Sequence, residues 1–285
     1  MLGPPVVSGD GALTFLTVFS FHLARVHAAA TLAHLWRGPT SEVVLGLRHA
    51  ECMATMQLGS RILSRARMQL GSLALFAVWE SDAAIDDFFA GARLGRTLAA
   101  GWHVRLRLIR RWGSVAALDE FAASADAMDA DSPVVAVTLA RLALPQVPRF
   151  IRWGKPVEEL VRDHAGSALS LAALRPPRTV STFTAWSSQR AMEDMVHGRG
   201  SGPRADRHAV AMAERRRKDF HHEFTTLRFR ALAEHGEWDG RRRVMGVGDS
   251  GSGRGDASEP QMRAGQSESR SLAARAVETS VSVAP

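Results

Sequence analysis

The sequence predicts an α+β fold in which two tandem ferredoxin-like βαββαβ repeats close on each other within one chain, followed by a disordered C-terminal tail. Two observations carry that expectation. The pairs Phe76/Phe183, Trp79/Trp186, Ser81/Ser188, Ala84/Ala191, Asp87/Asp194 and Gly91/Gly198 all stand 107 residues apart with no gap. A period this long exceeds a solenoid unit and matches a small domain. Strand-like and helix-like segments also follow one another in the order β-α-β-β-α-β on either side of a linker at 114–132. The predicted units are a first repeat over 12–113, a second over 133–243 and a tail over 244–285.

Each element has a local reason. Residues 12–19 are β-branched and aromatic and read as a buried strand. Residues 23–36 carry Ala and Leu at helical spacing and stop at Gly38-Pro39, a helix. A second strand is expected over 52–58 and a third over 71–79, with Leu73, Leu75, Ala77 and Trp79 on one face. Ser81 is placed to cap a helix over 82–90, Asp82 suits its positive end, and Gly91 closes it. In a fourth strand over 102–109, Trp102, Val104, Leu106 and Leu108 alternate with His103, Arg105 and Arg107. The second half repeats the series: strand 133–140, helix 146–153, strands 166–174 and 178–186, then a helix over 189–197 capped by Ser188. A basic helix over 205–222 and a last strand over 224–231 complete it. Residues 1–11 are Gly/Pro/Ser-rich and predicted to fray. The tail has few large apolar groups and cannot offset its ordering entropy. Two four-stranded sheets face to face close eight strands into a barrel, which removes exposed edges and can hold one small ligand.

Composition bounds the function. The 285 residues carry a formal charge of +7, but the chain has no Tyr, no Asn and two lysines, Lys155 and Lys218. The excess of Arg therefore reads as a coding bias, and no nucleic-acid partner is expected. No apolar run reaches the ~18 residues of a membrane span. The single cysteine, Cys52, and the lack of a basic leader at Met1 point to a cytoplasmic protein.

The second half resembles the spheroidene monooxygenase family of carotenoid-oxidising enzymes. The resemblance rests on Phe183-Thr-Ala-Trp186 through Met192, Gly198 through Pro203, His208-Ala209, Leu227 through Leu232, and Gly236-Glu-Trp238-Asp-Gly240-Arg241. It spans roughly 12–241. The stretch from Gly202-Pro203 to Phe220 is longer and more basic than in that family, through Arg215-Arg-Arg-Lys218, and 40–70 match poorly. The resemblance implies an intrachain dimeric α+β barrel of the antibiotic-biosynthesis-monooxygenase type, a haem cofactor with O2 as co-substrate, a small hydrophobic substrate of carotenoid or isoprenoid kind, and an electron donor.

On that reading His208 is the metal-ligating and cofactor-binding residue, since it falls in the matching His-Ala block and a neutral imidazole is the commonest haem ligand. The alternative is a surface histidine among arginines. Arg105 and Arg107, with Arg228 and Arg230 on the equivalent strand, are candidates to bind haem propionates or polarise bound oxygen, the latter two as catalytic groups. The alternative is that they pair with acids such as Asp87, Asp194 or Glu223. His221-His222 are adjacent and make a poor bidentate metal site. Trp79, Trp186, Met192 and Met195 read as core, and His49, His103 and His164 as structural. Cys52 has no base beside it in sequence. No dinucleotide, phosphate-loop or hydrolase motif occurs.

Two further readings stay open. One is a non-catalytic barrel that carries a ligand or haem and docks a partner or an anionic membrane surface through its basic helix. The other is a cofactor-free oxygenase. Fusion of the halves allows a monomer or a dimer.

Overall fold

The computed structural model describes residues 17–62, 64–199 and 205–247, together with the backbone of Val6, Val7, Leu13 and Thr14, which form a short antiparallel ribbon. The first segment contributes β1 (Val18–Arg25), α1 (Ala28–Trp36), β2 (Leu47–Met56), β3 (Gln69–Trp79), α2 (Asp82–Gly91), α3 (Arg93–Ala99) and β4 (Trp102–Ser114). The second contributes β5 (Val134–Leu142), α4 (Val147–Arg162), β6 (Ser167–Arg175), β7 (Thr179–Trp186), α5 (Gln189–His197), α6 (Arg207–Arg217) and β8 (His221–His235). The eight strands close a barrel in the order β8-β4-β1-β3-β2-β6-β7-β5, with β5 returning to β8.

Each segment supplies four neighbouring strands, β4-β1-β3-β2 and β8-β5-β7-β6. The seams between them are unequal. β4 and β8 pair from Ser114 opposite Phe224 to His103 opposite His235, whereas β2 and β6 share only Ala54–Leu174, Thr55–Ala173 and Met56–Ala172.

Alternation along the strands decides what faces inward. Phe19, Phe21, Leu23, Phe76, Trp102, Val104, Val137, Phe183 and Phe229 belong to one inner cluster, each at most 1% exposed. Leu73, Leu75, Ala77 and Trp79 point outward against Ile85, Phe88 and Leu98 of α2 and α3. The expected shared face of β3 is therefore the helix-covered one. Trp186, Met192 and Met195 pack the equivalent layer of the second half.

Both mouths are covered. Beyond β4, Val115, Leu118 and Phe121 fold back onto the inner cluster. The segment expected as a linker thus starts as a plug, and its irregular backbone hides that burial from periodicity. Beyond the far end of antiparallel β8, Trp238 and Met245 do the same. Glu234 fixes that second plug: its carboxylate accepts hydrogen bonds from Trp102 Nε1 (2.8 Å), Val244 N (2.6 Å) and Met245 N (2.8 Å). Residues 244–247 therefore pack on the barrel, and the rest of the expected tail lies outside the described residues.

The lumen is consequently solid. Phe21 and Phe183 stack at 4.2 Å, Phe19 and Phe229 lie 5.1 Å apart, and Trp102 meets Phe183 edge-on at 5.7 Å. The expectation of an internal hollow for a cofactor is not met, because inward positions on five strands carry aromatic rings.

Other boundaries moved for identifiable reasons. β1 runs over Val18–Arg25 rather than 12–19, and α1 starts at Ala28 rather than at 23. Alternating Phe19, Phe21 and Leu23, paired on both sides by β3 and β4, outweigh the helical spacing of the alanines. α4 continues to Arg162 through Pro156, because packing on β6 and α6 offsets the roughly 3 kcal/mol that an interior proline costs. The two helix ends expected to match differ: Gly198 has the left-handed φ of +68° that closes α5, whereas Gly91 is still helical and leads into α3. Among the described residues no helix is long and apolar enough to cross a membrane.

Candidate functional site

The arginines singled out by the sequence all lie on the outer face. Arg105 pairs with Asp82 at 3.0 Å and with Asp86, both on the first turns of α2. Arg107 reaches Asp126 at 3.5 Å. Arg228 donates to Glu193 of α5 at 3.0 Å and lies over the Trp112 ring at 4.8 Å. Arg230 donates to the Ala127 carbonyl at 2.8 Å and stands 4.0 Å from Asp126. The partners are acids, as one alternative held, although not Asp87, Asp194 or Glu223.

His208 sits on α6, its Nδ1 3.0 Å from the Val196 carbonyl oxygen of α5. Burial, opposed by that hydrogen bond, lowers its pKa, so the ring is a neutral helix-to-helix strut. It belongs to the helical layer of the second half, whereas Arg105 is held by α2 of the first. The predicted ligand and the predicted propionate partners are not brought together. With the lumen filled by Phe21, Phe183 and Trp102 as well, the residues present do not fit a haem. Among the described residues no group of three or more His, Cys, Asp or Glu side chains could hold a metal ion.

Two of the other histidines have local partners. His221 Nδ1 bonds Asp219 at 2.8 Å, and His164 Nδ1 accepts from Gly166 N at 3.0 Å while its ring meets Trp186 edge-on. Burial pushes the Cys52 thiol up to about 12, which leaves it inert.

Two polar constellations emerge that the sequence did not announce. The first lies inside the barrel near the mouth plugged by Val115–Phe121. Glu51, 1% exposed, accepts from Arg141, from Arg175 at 2.5 Å and from His49 at 3.1 Å. Burial raises the Glu51 pKa, but the His49 hydrogen bond and the two guanidinium charges outweigh it and hold it below the ordinary value. Arg141 also donates to Thr179 Oγ1 at 3.1 Å. Glu51 comes from the first segment and both arginines from the second, so the cluster ties the halves at their short seam.

The second lies on the outer face under α2. His22 stands opposite His103, and His103 opposite His235, on β1, β4 and β8. Their rings stack at 5.5 Å and 4.7 Å, with Phe89 edge-on to both His22 and His103. At the inner end His22 Nε2 lies 2.7 Å from Ser20 Oγ, which accepts from Trp79 Nε1 at 2.7 Å. A tryptophan can only donate, so the serine hydroxyl is free to donate to His22. Burial, with Coulomb repulsion from His235 and Arg105, takes the His103 pKa down to about 3. Burial, with His103 and Arg105, likewise takes His22 well below the ordinary value.

The outer end of this row opens on a surface hollow of about 330 Å³, lined by Glu234, His235, Gly236, Arg242, Arg243 and Val247. Arg243 has a φ of +55° and Asp239 of +50°, left-handed conformations that non-glycine residues adopt at a cost of about 1–3 kcal/mol. Both lie on the loop that walls the hollow. His22 and His235 escaped sequence reasoning because their alignment depends on strand register. The one legible signal was His103, at an outward position of a well-alternating strand.

The fold thus defines a closed eight-stranded α+β barrel with a polar surface hollow beside the end of β8. No family model matches the chain, and no curated protein sequence does. Among solved structures it is similar to an aldoxime dehydratase in complex with butyraldoxime, at 8% identity and a TM-score of 0.43, covering 76% of this chain and 79% of that one. It is also similar to a ferredoxin-fold protein from Listeria monocytogenes related to antibiotic biosynthesis monooxygenases, at 9% identity and a TM-score of 0.28, covering 77% and 97%. A heme-degrading enzyme from Listeria monocytogenes matches at 11% identity and a TM-score of 0.24, covering 73% and 98%. At these values the likenesses assign no activity to this chain.

Proposed function

We propose that the chain is an oxygenase-type enzyme of the dimeric α+β barrel class that works without a resident haem and takes its substrate in the hollow beside His235. The carrying observation is the hollow itself, which joins one imidazole, His235, to two guanidinium groups, Arg242 and Arg243, on a loop anchored by Glu234. An imidazole beside a bound carbon acid can take its proton, and a guanidinium stabilises the oxyanion that results. The anion can then reduce dioxygen itself. The balance closes without an outside electron donor: a methylene conjugated with a carbonyl loses two hydrogens, gains one oxygen atom as a new carbonyl, and the other oxygen atom leaves as water.

A carotenoid would need a long apolar channel, and aromatic rings occupy the lumen that was expected to supply one. The hollow, at about 330 Å³, suits a small molecule instead. We also read 12–113 and 133–243 as two copies of one unit. Their strands share one order, and Ser81 and Ser188 cap α2 and α5 in the same way, accepting from Ala84 N at 3.2 Å and Ala191 N at 3.1 Å.

Anthrone, a carbon acid with a methylene between two rings and a carbonyl opposite, is a suitable probe. Haem-free, chelator-treated protein should consume one O2 per anthraquinone formed, above the uncatalysed rate, and His235→Gln should lose that activity. Oxidation that appears only after haem is added, with a Soret band that His208→Ala shifts, would overturn the proposal and restore the haem reading.

A further inference from the structure

The outer face of α1 carries no charge. Ala28, Ala29, Leu32, Ala33 and Trp36 are exposed, while Thr31 and Leu35 turn inward. At about 100° per residue these five side chains fill an arc of about 140°. A surface helix ordinarily sets polar groups there. The apolar run continues along the chain into the turn beyond α1: Val43 is 83% and Leu45 90% exposed, beside 78% for Trp36 and 43% for Leu32. Single apolar residues on a surface need no account, but an uninterrupted helical stripe does.

Two coverings would suit such a face, and their chemistry differs. A helix that lies on an anionic membrane flanks its apolar face with Lys or Arg. α1 contains neither. In the turn that follows, Arg37 is offset by Glu42, and Arg48 is engaged by Glu80 and Glu120. The patch is therefore apolar and close to neutral, which favours another protein surface of the same kind.

The stripe also matches itself. It is graded in size, from Ala28 and Ala29 at its start to Trp36 at its end. Turned antiparallel about a two-fold axis between Leu32 and Ala33, each Trp36 falls opposite the partner's Ala29, and Leu32 meets the partner's Leu32. Large against small lets two helix axes approach to the usual ~8–10 Å. Leu32, Trp36, Val43 and Leu45 uncover apolar area on the order of 500 Å², the size of patch that marks an interaction site on a monomer. Two copies face to face would bury on the order of 1,000 Å², where specific interfaces begin.

We propose that α1 is the centre of an isologous dimer interface, in which two copies of this chain lay their α1 helices antiparallel and Trp36 is the anchoring side chain. The antiparallel arrangement also sets the turn with Val43 and Leu45 at the start of the partner's helix.

Sedimentation velocity of the full chain from about 1 μM to about 100 μM should show a monomer passing into a dimer. Trp36→Ala removes a side chain that lies mostly in solvent in the single chain, so its circular dichroism should be unchanged while association weakens about 30-fold or more. Oxidative cross-linking reads the orientation. Cys52 is only 2% exposed, so the parent should form no disulfide dimer. Ala33→Cys puts a thiol beside the two-fold axis and should cross-link. Ala28→Cys stands roughly 13 Å from its copy along the helices, beyond the ~7 Å reach of a disulfide, and should not. A monomer throughout the range, association untouched by Trp36→Ala, or Ala28→Cys cross-linking as readily as Ala33→Cys would overturn the proposal. So would a monomer that pellets with phosphatidylserine vesicles and is released by Trp36→Ala, which would make the face a lipid contact. Should Trp36→Ala fail to fold, the two cysteine variants still decide it.

Discussion

Phe21 of β1 and Phe183 of β7 stack 4.2 Å apart, centroid to centroid, with their planes at 24°. These strands come from opposite segments and are not neighbours in the barrel. The contact therefore crosses the lumen, and each segment fills the hollow the other would leave.

Removing one ring of that pair should expose its energetic weight. Phe183→Ala deletes a fully buried side chain that also meets Trp102. It should lower the unfolding free energy by about 3–5 kcal/mol in urea titrations. The apolar cavity left behind should bind xenon, which the parent protein should exclude. A loss below about 1 kcal/mol would mean that the lumen is not packed as described.

Glu51 links stability to pH. Its folded pKa lies below the ordinary 4.5, so its contribution is fully present above that value and is lost as pH falls through the depressed one. Glu51→Gln leaves Arg141 and Arg175 without their shared anion and should cost about 3–5 kcal/mol near neutrality. Thermal midpoints from about pH 7 to about pH 3 should fall less steeply for the variant than for the parent. Parallel curves would refute the assignment.

The buried histidines act in the same direction over a higher range. With the His103 pKa near 3 in the folded state and 6.5 as its ordinary value, the unfolded chain binds the extra proton between them. Stability should be complete above about pH 6.5 and decline towards about pH 3. His103→Phe removes that titration and should flatten denaturation midpoints across this window. An unchanged slope would show that His103 is solvated.

The two serine caps should behave as independent equivalents. Ser81→Ala and Ser188→Ala each remove one side-chain acceptor at a helix start and should each cost about 1 kcal/mol. α2 and α5 cover different half-sheets, so the double variant should lose the sum in a denaturant titration. A marked departure from additivity would signal that the two helical layers communicate.

Much of the fold was legible because it rests on local rules. Ser81 and Ser188 announced their helices, since a hydroxyl before a free N–H is a local match. The alternation from Trp102 to Leu108 gave β4, and the ends of β7 and α5 came within a residue of expectation. The site was less legible. His208, Arg105, Arg107, Arg228 and Arg230 drew attention through residue type and resemblance, yet α6 and the outward alternation of β4 and β8 carry them away from the lumen. His22, Glu51, His235, Arg242 and Arg243 gave no signal, because their partners lie on other strands or loops.

By itself the sequence determined the segment order, the helix caps, the twinned tryptophans and the alternation that assigns each strand two faces, all consequences of interactions spanning a few residues. Only the tertiary structure decided which face became the lumen, that aromatic rings from both halves fill it, and that three histidines align under α2. Those outcomes depend on cross-strand register, and the register is fixed by burial over the whole barrel.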